Sequence, residues 1–218
     1  MTSTANNFFV LNQSTGMQSI TYSGAAAGQY KDDIIGIYNT DALSASVDLG
    51  TVSGMSLTLG GVLLNTFTAS ASKYTTVNVG IVNVSIASTF SIDPTTVFGS
   101  CLMLNDVTTS STASSIRGTY TNSTITIDTC DLRKGFTFAS GSLSGSRILV
   151  TDTVSSDTFV MSGFATKDES AVDIENSIFN VDGSGDAMYF TTSIFYTGCR
   201  FGLDNVQLNG TNALNMVG

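Results

Sequence analysis

The chain contains no histidine and no tryptophan. Without histidine a Ser-His-Asp triad cannot form, and the usual zinc sites lose their most common nitrogen ligand. Without tryptophan the side chain that most often stacks on sugar rings is missing. Any acid-base chemistry would therefore depend on the 17 carboxylates, and we expect no enzyme activity, no metal site of the zinc type and no cofactor.

Charge is also scarce, because only 11% of the 218 residues are charged. The net charge of −9 argues against a nucleic-acid partner, since phosphate binding needs clustered Lys and Arg. In place of charges the chain carries 61 serine and threonine residues. Hydroxyl groups cost less to desolvate than charges, so this composition favours broad contacts with copies of the same chain or with other proteins.

Three cysteines are too few for a disulfide framework, and we interpret Cys101, Cys130 and Cys199 as free thiols. The chain shows no basic start followed by an apolar stretch, and no apolar run approaches the roughly 18 residues of a spanning helix. We therefore expect synthesis in a cytoplasm and no membrane partner.

A repeat of 22 to 24 residues runs through the chain. Each copy has two apolar residues flanking one position, a turn-forming residue in the fifth place and a small or β-branched residue in the sixth. The copies begin at Ile35, Leu57, Val79, Leu102, Ile125, Ile148, Val172 and Ile194. A fixed period of this size predicts a solenoid, in which each repeat buries its apolar face by stacking on its neighbours.

The fifth and sixth positions of the repeat predict a corner. The fifth holds Asn39, Gly61, Asn83, Asp106, Thr129, Asp152, Asn176 and Gly198, and all but Thr129 tolerate a left-handed backbone or bond to their own backbone. The sixth holds only Thr, Val, Cys and Ser, which suit an inward corner. Cys130 and Cys199 share this position, which predicts one inward column with both thiols in it.

The pattern predicts an all-β, single-domain parallel β-helix (β-solenoid) of about eight coils. A sandwich or barrel of short strands is the alternative. Residues 1–30 are predicted to form an N-terminal cap or docking segment, residues 31–203 the solenoid body, and residues 204–218 a closing loop. Phe8 and Phe9 are the candidate docking residues in the first segment.

Two pairs of acids are candidates for carboxylate chemistry. Asp128 and Asp152 are expected near one corner on successive coils, and Asp173 and Glu175 on the outward face of one strand. The simpler interpretation is that all four are solvated surface groups. A weak calcium candidate comprises Asp182, Ser184 and Asp186, although the carboxylate that usually closes such a loop is missing.

The densest aromatic cluster is a candidate binding patch for a glycan or receptor. It comprises Tyr189, Phe195, Tyr196 and Phe201. Half of these side chains are expected to belong to the core.

The eight repeats described above, with Asn, Asp and Gly at their turns, resemble the right-handed parallel β-helix proteins of phage particles: tailspikes, tail fibres and capsid decoration proteins. The resemblance is architectural and covers roughly residues 35–200. It implies a non-catalytic structural virion protein, which would be a capsid decoration, fibre or baseplate component. Such a protein would form a homotrimer or another symmetric oligomer and dock on other virion proteins. A glycan- or receptor-binding module and a head-to-tail filament subunit are the two alternatives, with a host surface glycan as a candidate partner of the first.

Overall fold

The structure is a computed structural model, and it describes residues 8–23, 29–31, 34–110, 113–181, 185–191, 194–195 and 198–217. These residues form 22 strands, and they include no helix, hence none that could cross a membrane. Every strand pairing between them is parallel. The predicted all-β parallel solenoid of about eight turns is therefore confirmed.

The strands follow one another around the coils in chain order. They are β1 (Phe8–Asn12), β2 (Ile20–Ser23), β3 (Gln29–Lys31), β4 (Ile34–Tyr38), β5 (Asp41–Ser53), β6 (Ser56–Thr75), β7 (Asn78–Phe98), β8 (Cys101–Thr109), β9 (Ala113–Thr121), β10 (Thr124–Asp128), β11 (Asp131–Leu132), β12 (Phe136–Ser144), β13 (Arg147–Thr151), β14 (Val154–Ser155), β15 (Phe159–Lys167), β16 (Ala171–Glu175), β17 (Ile178–Asn180), β18 (Met188–Thr191), β19 (Ile194–Phe195), β20 (Arg200–Asp204), β21 (Gln207–Asn209) and β22 (Leu214–Val217).

The coil has three faces of unequal length. The first face stacks nine five-residue segments, at 8–12, 34–38, 56–60, 78–82, 101–105, 124–128, 147–151, 171–175 and 200–204. The second face has only two or three residues in most coils, as in β11, β14 and β21. The third face has nine residues in β9, β12 and β15. The cross-section is therefore an asymmetric triangle.

The corner after the first face has the backbone that the sequence predicts. Its residues adopt φ between 47° and 62°, including Thr129 at 53°. The next residue of the middle coils is buried, as with Thr40, Val62, Cys130 and Thr153. The left-handed residue turns the chain, and the small side chain after it fits inside the bend.

The eighth copy of the repeat is not where the sequence places it. Val172 pairs with Phe201, 29 residues later, and Ile194 pairs with Ala165 on the third face. The corner of this coil is at Asn205, with φ 51°. Cys199 directly precedes β20, so it does not share an inward column with Cys130, and that prediction was wrong. The extra residues of this coil displaced the register, and Ile194 fits the apolar pattern by chance.

The other corner, before the first face, carries a ladder of buried serines: Ser100, Ser123, Ser146 and Ser170. Each of the first three hydroxyls donates to the carbonyl two residues earlier, and Ser170 donates to the carbonyl three residues earlier. Each also accepts the N–H of the equivalent residue one coil before. A backbone donor and a backbone acceptor of the turn are thus both satisfied by one side chain.

The interior is filled by columns of apolar side chains. Phenylalanines stack along the start of the third face, with ring centroids 5.9 Å apart for Phe67 and Phe90 and 6.4 Å apart for Phe136 and Phe159. Leu57, Leu59 and their equivalents on the next coils are buried beneath the first face. Each coil therefore gains its core only through the coils on either side of it.

The two terminal segments also contain strands of the solenoid. Within residues 1–30, β1 pairs with β4 and β2 pairs with β5. Residues 204–218, predicted as a closing loop, contain β21 and β22, which pair with β17 and β18. The apolar residues of this last stretch alternate with single polar residues only in two short runs, Val206-Gln207-Leu208 and Leu214-Asn215-Met216, within an Asn-rich sequence.

Candidate functional site

The structure does not bring Asp128 and Asp152 face to face. Asp128 ends β10 opposite Thr151, whereas Asp152 is the exposed corner residue that follows. The Asp128 carboxylate accepts a hydrogen bond from Asn105 Nδ2 at 2.8 Å and another from Thr151 Oγ1 at 2.7 Å. It therefore joins three successive coils in a polar ladder on the side of the solenoid.

Asp173 is an outward residue of the first face that is nonetheless buried, with 5% of its side chain exposed. Arg147, one coil earlier, donates from Nε to Oδ2 at 3.0 Å. Arg200, one coil later, donates from Nε to Oδ1 at 2.9 Å and from Nη2 to Oδ2 at 2.6 Å. The expectation that this acid is solvated was wrong, because two guanidinium groups cover it.

The electrostatics of this cluster favour the ionised form of Asp173. Burial alone would raise the pKa of its carboxyl, but the hydrogen bonds and charge of Arg200, reinforced by Arg147, lower the pKa below its usual value. Glu175 is 4.0 Å from Arg147 Nη2 and stays partly exposed. A carboxylate held ionised by two Arg residues is a poor proton donor, and the arrangement ties β13, β16 and β20 together.

The calcium candidate is only partly within the described residues, since Asp182 and Ser184 lie outside them. The carboxylate of Asp186 accepts hydrogen bonds from Asn212 Nδ2 at 2.6 Å and from Asn215 Nδ2 at 2.7 Å. The bond from Asn215 and then that from Asn212 lower the pKa of Asp186. Among the described residues, no group of three or more His, Cys, Asp or Glu side chains could hold a metal ion.

The candidate aromatic patch is divided between the two sides of the coil wall. Tyr189 lies between the buried Met188 and Phe190 on β18, so it faces outward. Phe201 packs against the core, and the centroid of its ring lies 5.0 Å from that of Phe190 in an edge-on contact. Tyr196 and the side chain of Phe195 lie outside the described residues. The structure therefore does not place Tyr189 and Phe201 on one surface.

The docking candidates lie on the first strand of the solenoid. Phe9 is aligned with the buried Ile35, so it occupies an inward position, yet it is partly exposed because it belongs to the terminal coil. The side chain of Phe8 is outside the described residues. Phe9 thus marks the N-terminal end of the apolar interior.

The opposite end exposes a surface that the sequence did not single out. Leu203, Leu214 and Met216 align with the buried Ile174, Met188 and Phe190 and so occupy inward positions. They are nevertheless 40%, 37% and 52% exposed, because no described coil follows them. We call Leu203, Leu214 and Met216, with the partly buried Phe201 and Leu208, the C-terminal end surface. The alternating apolar residues of this stretch were the sequence signal that could have identified the surface.

Comparisons with family models, with curated proteins and with solved structures gave no match.

Proposed function

We propose that the chain is a non-catalytic structural protein of a virus particle, which acts by associating with itself and by docking on other virion proteins. The observation that carries this proposal is the C-terminal end surface. Inward-type apolar residues left exposed at a sheet edge are a typical site for another protein chain, since they combine buried-type side chains with unpaired backbone groups.

The sides of the solenoid support the same function. The paired polar groups on them, such as Asp128 and Asp173, are engaged in contacts between coils. Their role is to hold neighbouring coils together. The assignment to a virus particle rests on the architectural resemblance, and the genes that adjoin this one test it: capsid or tail genes are expected.

A glycan- or receptor-binding module is the less supported alternative. That function would need several aromatic side chains on one surface, and Tyr189 and Phe201 face opposite sides of the coil wall. A glycan array with the intact chain is expected to give no binder, and specific binding would favour this alternative.

Sedimentation velocity over a range of concentrations tests the self-association. The wild-type chain is expected to form oligomers, and a Leu203→Lys, Met216→Lys double variant is expected to be monomeric. Val154→Lys, which changes an exposed apolar residue on the side of the solenoid, is the matched control and should assemble like wild type. A wild-type chain that stays monomeric would refute the proposal, as would a double variant that assembles normally.

A further inference from the structure

We propose that the partner of the C-terminal end surface is the first coil of a second copy, stacked head to tail. In this arrangement β20 of one copy pairs in parallel with β1 of the next, from Arg200 opposite Phe8 to Asp204 opposite Asn12. The inference rests on the proposed self-association and adds which two surfaces meet, in which direction and in which register.

The charge distribution points to the two ends. Residues 1–30 and residues 205–218 contain no charged side chain, so all 25 charged residues of the chain lie between Lys31 and Asp204. Natural edge strands are usually protected from pairing by Lys, other charges, Pro or bulges. Both terminal segments lack charged side chains and proline. The edge strand β20 carries Arg200 and Asp204 at its two ends, but Arg200 is engaged with Asp173 and the three residues between them are uncharged. Within the described residues β1 and β20 each have a single hydrogen-bonded neighbour, β4 and β16.

The inward side chains continue their columns across this junction. The column that contains Ile35 and Val172 ends at Phe201 and begins at Phe9, and the column of Ile37 and Ile174 ends at Leu203 and begins at Leu11. Stacking therefore places Phe201 on Phe9 and Leu203 on Leu11. Each pair matches an apolar residue with an apolar residue of similar size, as the interior coils do.

The polar side chains at the end of the first face also match. Asp204 would lie opposite Asn12, whose amide can donate to the carboxylate. Asp128 shows this chemistry at the same position within the chain, because it accepts from Asn105 Nδ2 one coil earlier and from Thr151 Oγ1 one coil later. Asp204, the charged residue at the corner end of β20, would thus accept a hydrogen bond from Asn12 of the next copy.

The asymmetric cross-section selects head-to-tail stacking over a two-fold junction. Rotating a copy about an axis perpendicular to the solenoid exchanges two of the three faces. The three faces differ in length, with five residues in β10, two in β14 and nine in β15, so whichever two faces are exchanged, faces of unequal length would lie against each other. Head-to-tail stacking keeps each face on its equivalent: β1 and β20 both have five residues, and β2 and β22 both have four.

The size of the surface is adequate for a specific contact. A standard interface uses about 20–30 residues on each side. The last coil runs through residues 198–217, which is a surface of this size even before any contact from the following copy's third face. An apolar centre with a polar rim is also the usual composition of such an interface.

Disulfide cross-linking between two single-cysteine variants tests the junction. Both start from a full-length Cys101→Ser, Cys199→Ser chain, in which only the buried Cys130 remains. One adds Asn12→Cys and the other adds Asp204→Cys. Paired residues on neighbouring strands have Cα atoms about 4.8 Å apart, within the range of roughly 4.4–6.8 Å that a disulfide spans. Each is incubated with oxidised glutathione, alone and as an equal mixture.

The expected result is a disulfide-linked dimer in the mixture, with no such dimer from either variant alone. Thr124→Cys, an exposed position on the side of the solenoid, should give no dimer when mixed with the Asn12→Cys variant. Dimers from one variant alone, as strong as those from the mixture, would show a head-to-head or tail-to-tail junction and overturn the inference.

Two further outcomes separate this inference from the proposed function. Oligomers in sedimentation without any disulfide in the mixture would overturn the head-to-tail junction and leave self-association through a different contact. Monomers in sedimentation, with no disulfide, would overturn both.

Discussion

Replacing Asp173 with Asn should destabilise the C-terminal part of the solenoid. The substitution keeps the size of the side chain but removes the negative charge that three hydrogen bonds from Arg147 and Arg200 share. It also leaves an amide N–H₂ group facing a guanidinium, so one acceptor becomes a donor. Hydrogen bonds to charged groups contribute about 1.5–3 kcal/mol each, and breaking a fully buried pair costs about 3–5 kcal/mol.

The expected loss is lower than the fully buried limit, because both Arg side chains remain substantially exposed and solvent screens them. We therefore expect Asp173→Asn to lower the free energy of unfolding by ~2–3 kcal/mol at neutral pH. Glu175→Gln, which changes a neighbouring acid with only a 4.0 Å contact to Arg147, is the control and should cost less than ~0.5 kcal/mol.

The effect should be local and dependent on pH. Because coils contact only their neighbours, hydrogen exchange of β20 amides should accelerate while that of β7 amides is unchanged. The pKa of Asp173 is lower in the folded state than in the unfolded chain, where it is about 3.9. Its stabilisation is therefore complete above the unfolded pKa and is lost as the pH falls through the folded-state pKa.

Urea denaturation followed by circular dichroism, repeated from neutral to acidic pH, measures this contribution. Wild type and Asp173→Asn should converge in stability as the pH falls below the folded-state pKa of Asp173. A variant within ~0.5 kcal/mol of wild type at neutral pH, or a difference that persists unchanged in acid, would refute the interpretation of this cluster as a clamp between coils.

Three other substitutions test the construction of the coils. Ser123→Ala removes a buried hydroxyl that satisfies one carbonyl and one N–H, and should cost ~2–4 kcal/mol in urea denaturation, whereas a cost below ~0.5 kcal/mol would contradict the ladder. Gly141→Ala would push a Cβ into the carbonyl oxygen of Gly118 and should impair folding, while Gly80→Ala, with open space around it, should be tolerated; equal effects on thermal unfolding would argue against this packing. Thr129→Asn should raise stability by ~1 kcal/mol in the same measurement, because Asn adopts the left-handed backbone at this corner more readily than a β-branched residue, and a loss of stability would contradict this account.

The sequence was sufficient to predict the coil but not every coil's register. The fifth position predicted the corner because Asn, Asp and Gly report a local backbone requirement, and even Thr129 obeys it under the constraint of the stack. The predicted register is wrong after Val172, because the next coil is longer than the repeat. Nothing in a local apolar pattern distinguishes Ile194 on the third face from Phe201 on the first, since both faces need inward apolar residues.

The candidate sites were less predictable, because they depend on what lies one coil away. Asp173 looked like a solvated acid, and its environment is made by Arg147 and Arg200, which are 26 and 27 residues distant in sequence. Phe201 looked like part of a surface patch because it is close in sequence to Tyr189. Phe201 instead lies on the first face, at the inward position that follows Val172.

The two ends of the solenoid differ from its middle, and this difference supports the proposed stacking of copies. In the middle, side-chain hydroxyls satisfy the turns and an ionised cluster ties coils together, so the body is complete by itself. At the two ends of the described solenoid the same columns reach Phe9 and Phe201, and no charged side chain lies outside residues 31–204. A solenoid that had to remain single would need charged or polar capping coils. The matches of Phe201 with Phe9 and of Leu203 with Leu11 are what the proposed stacking of identical copies requires.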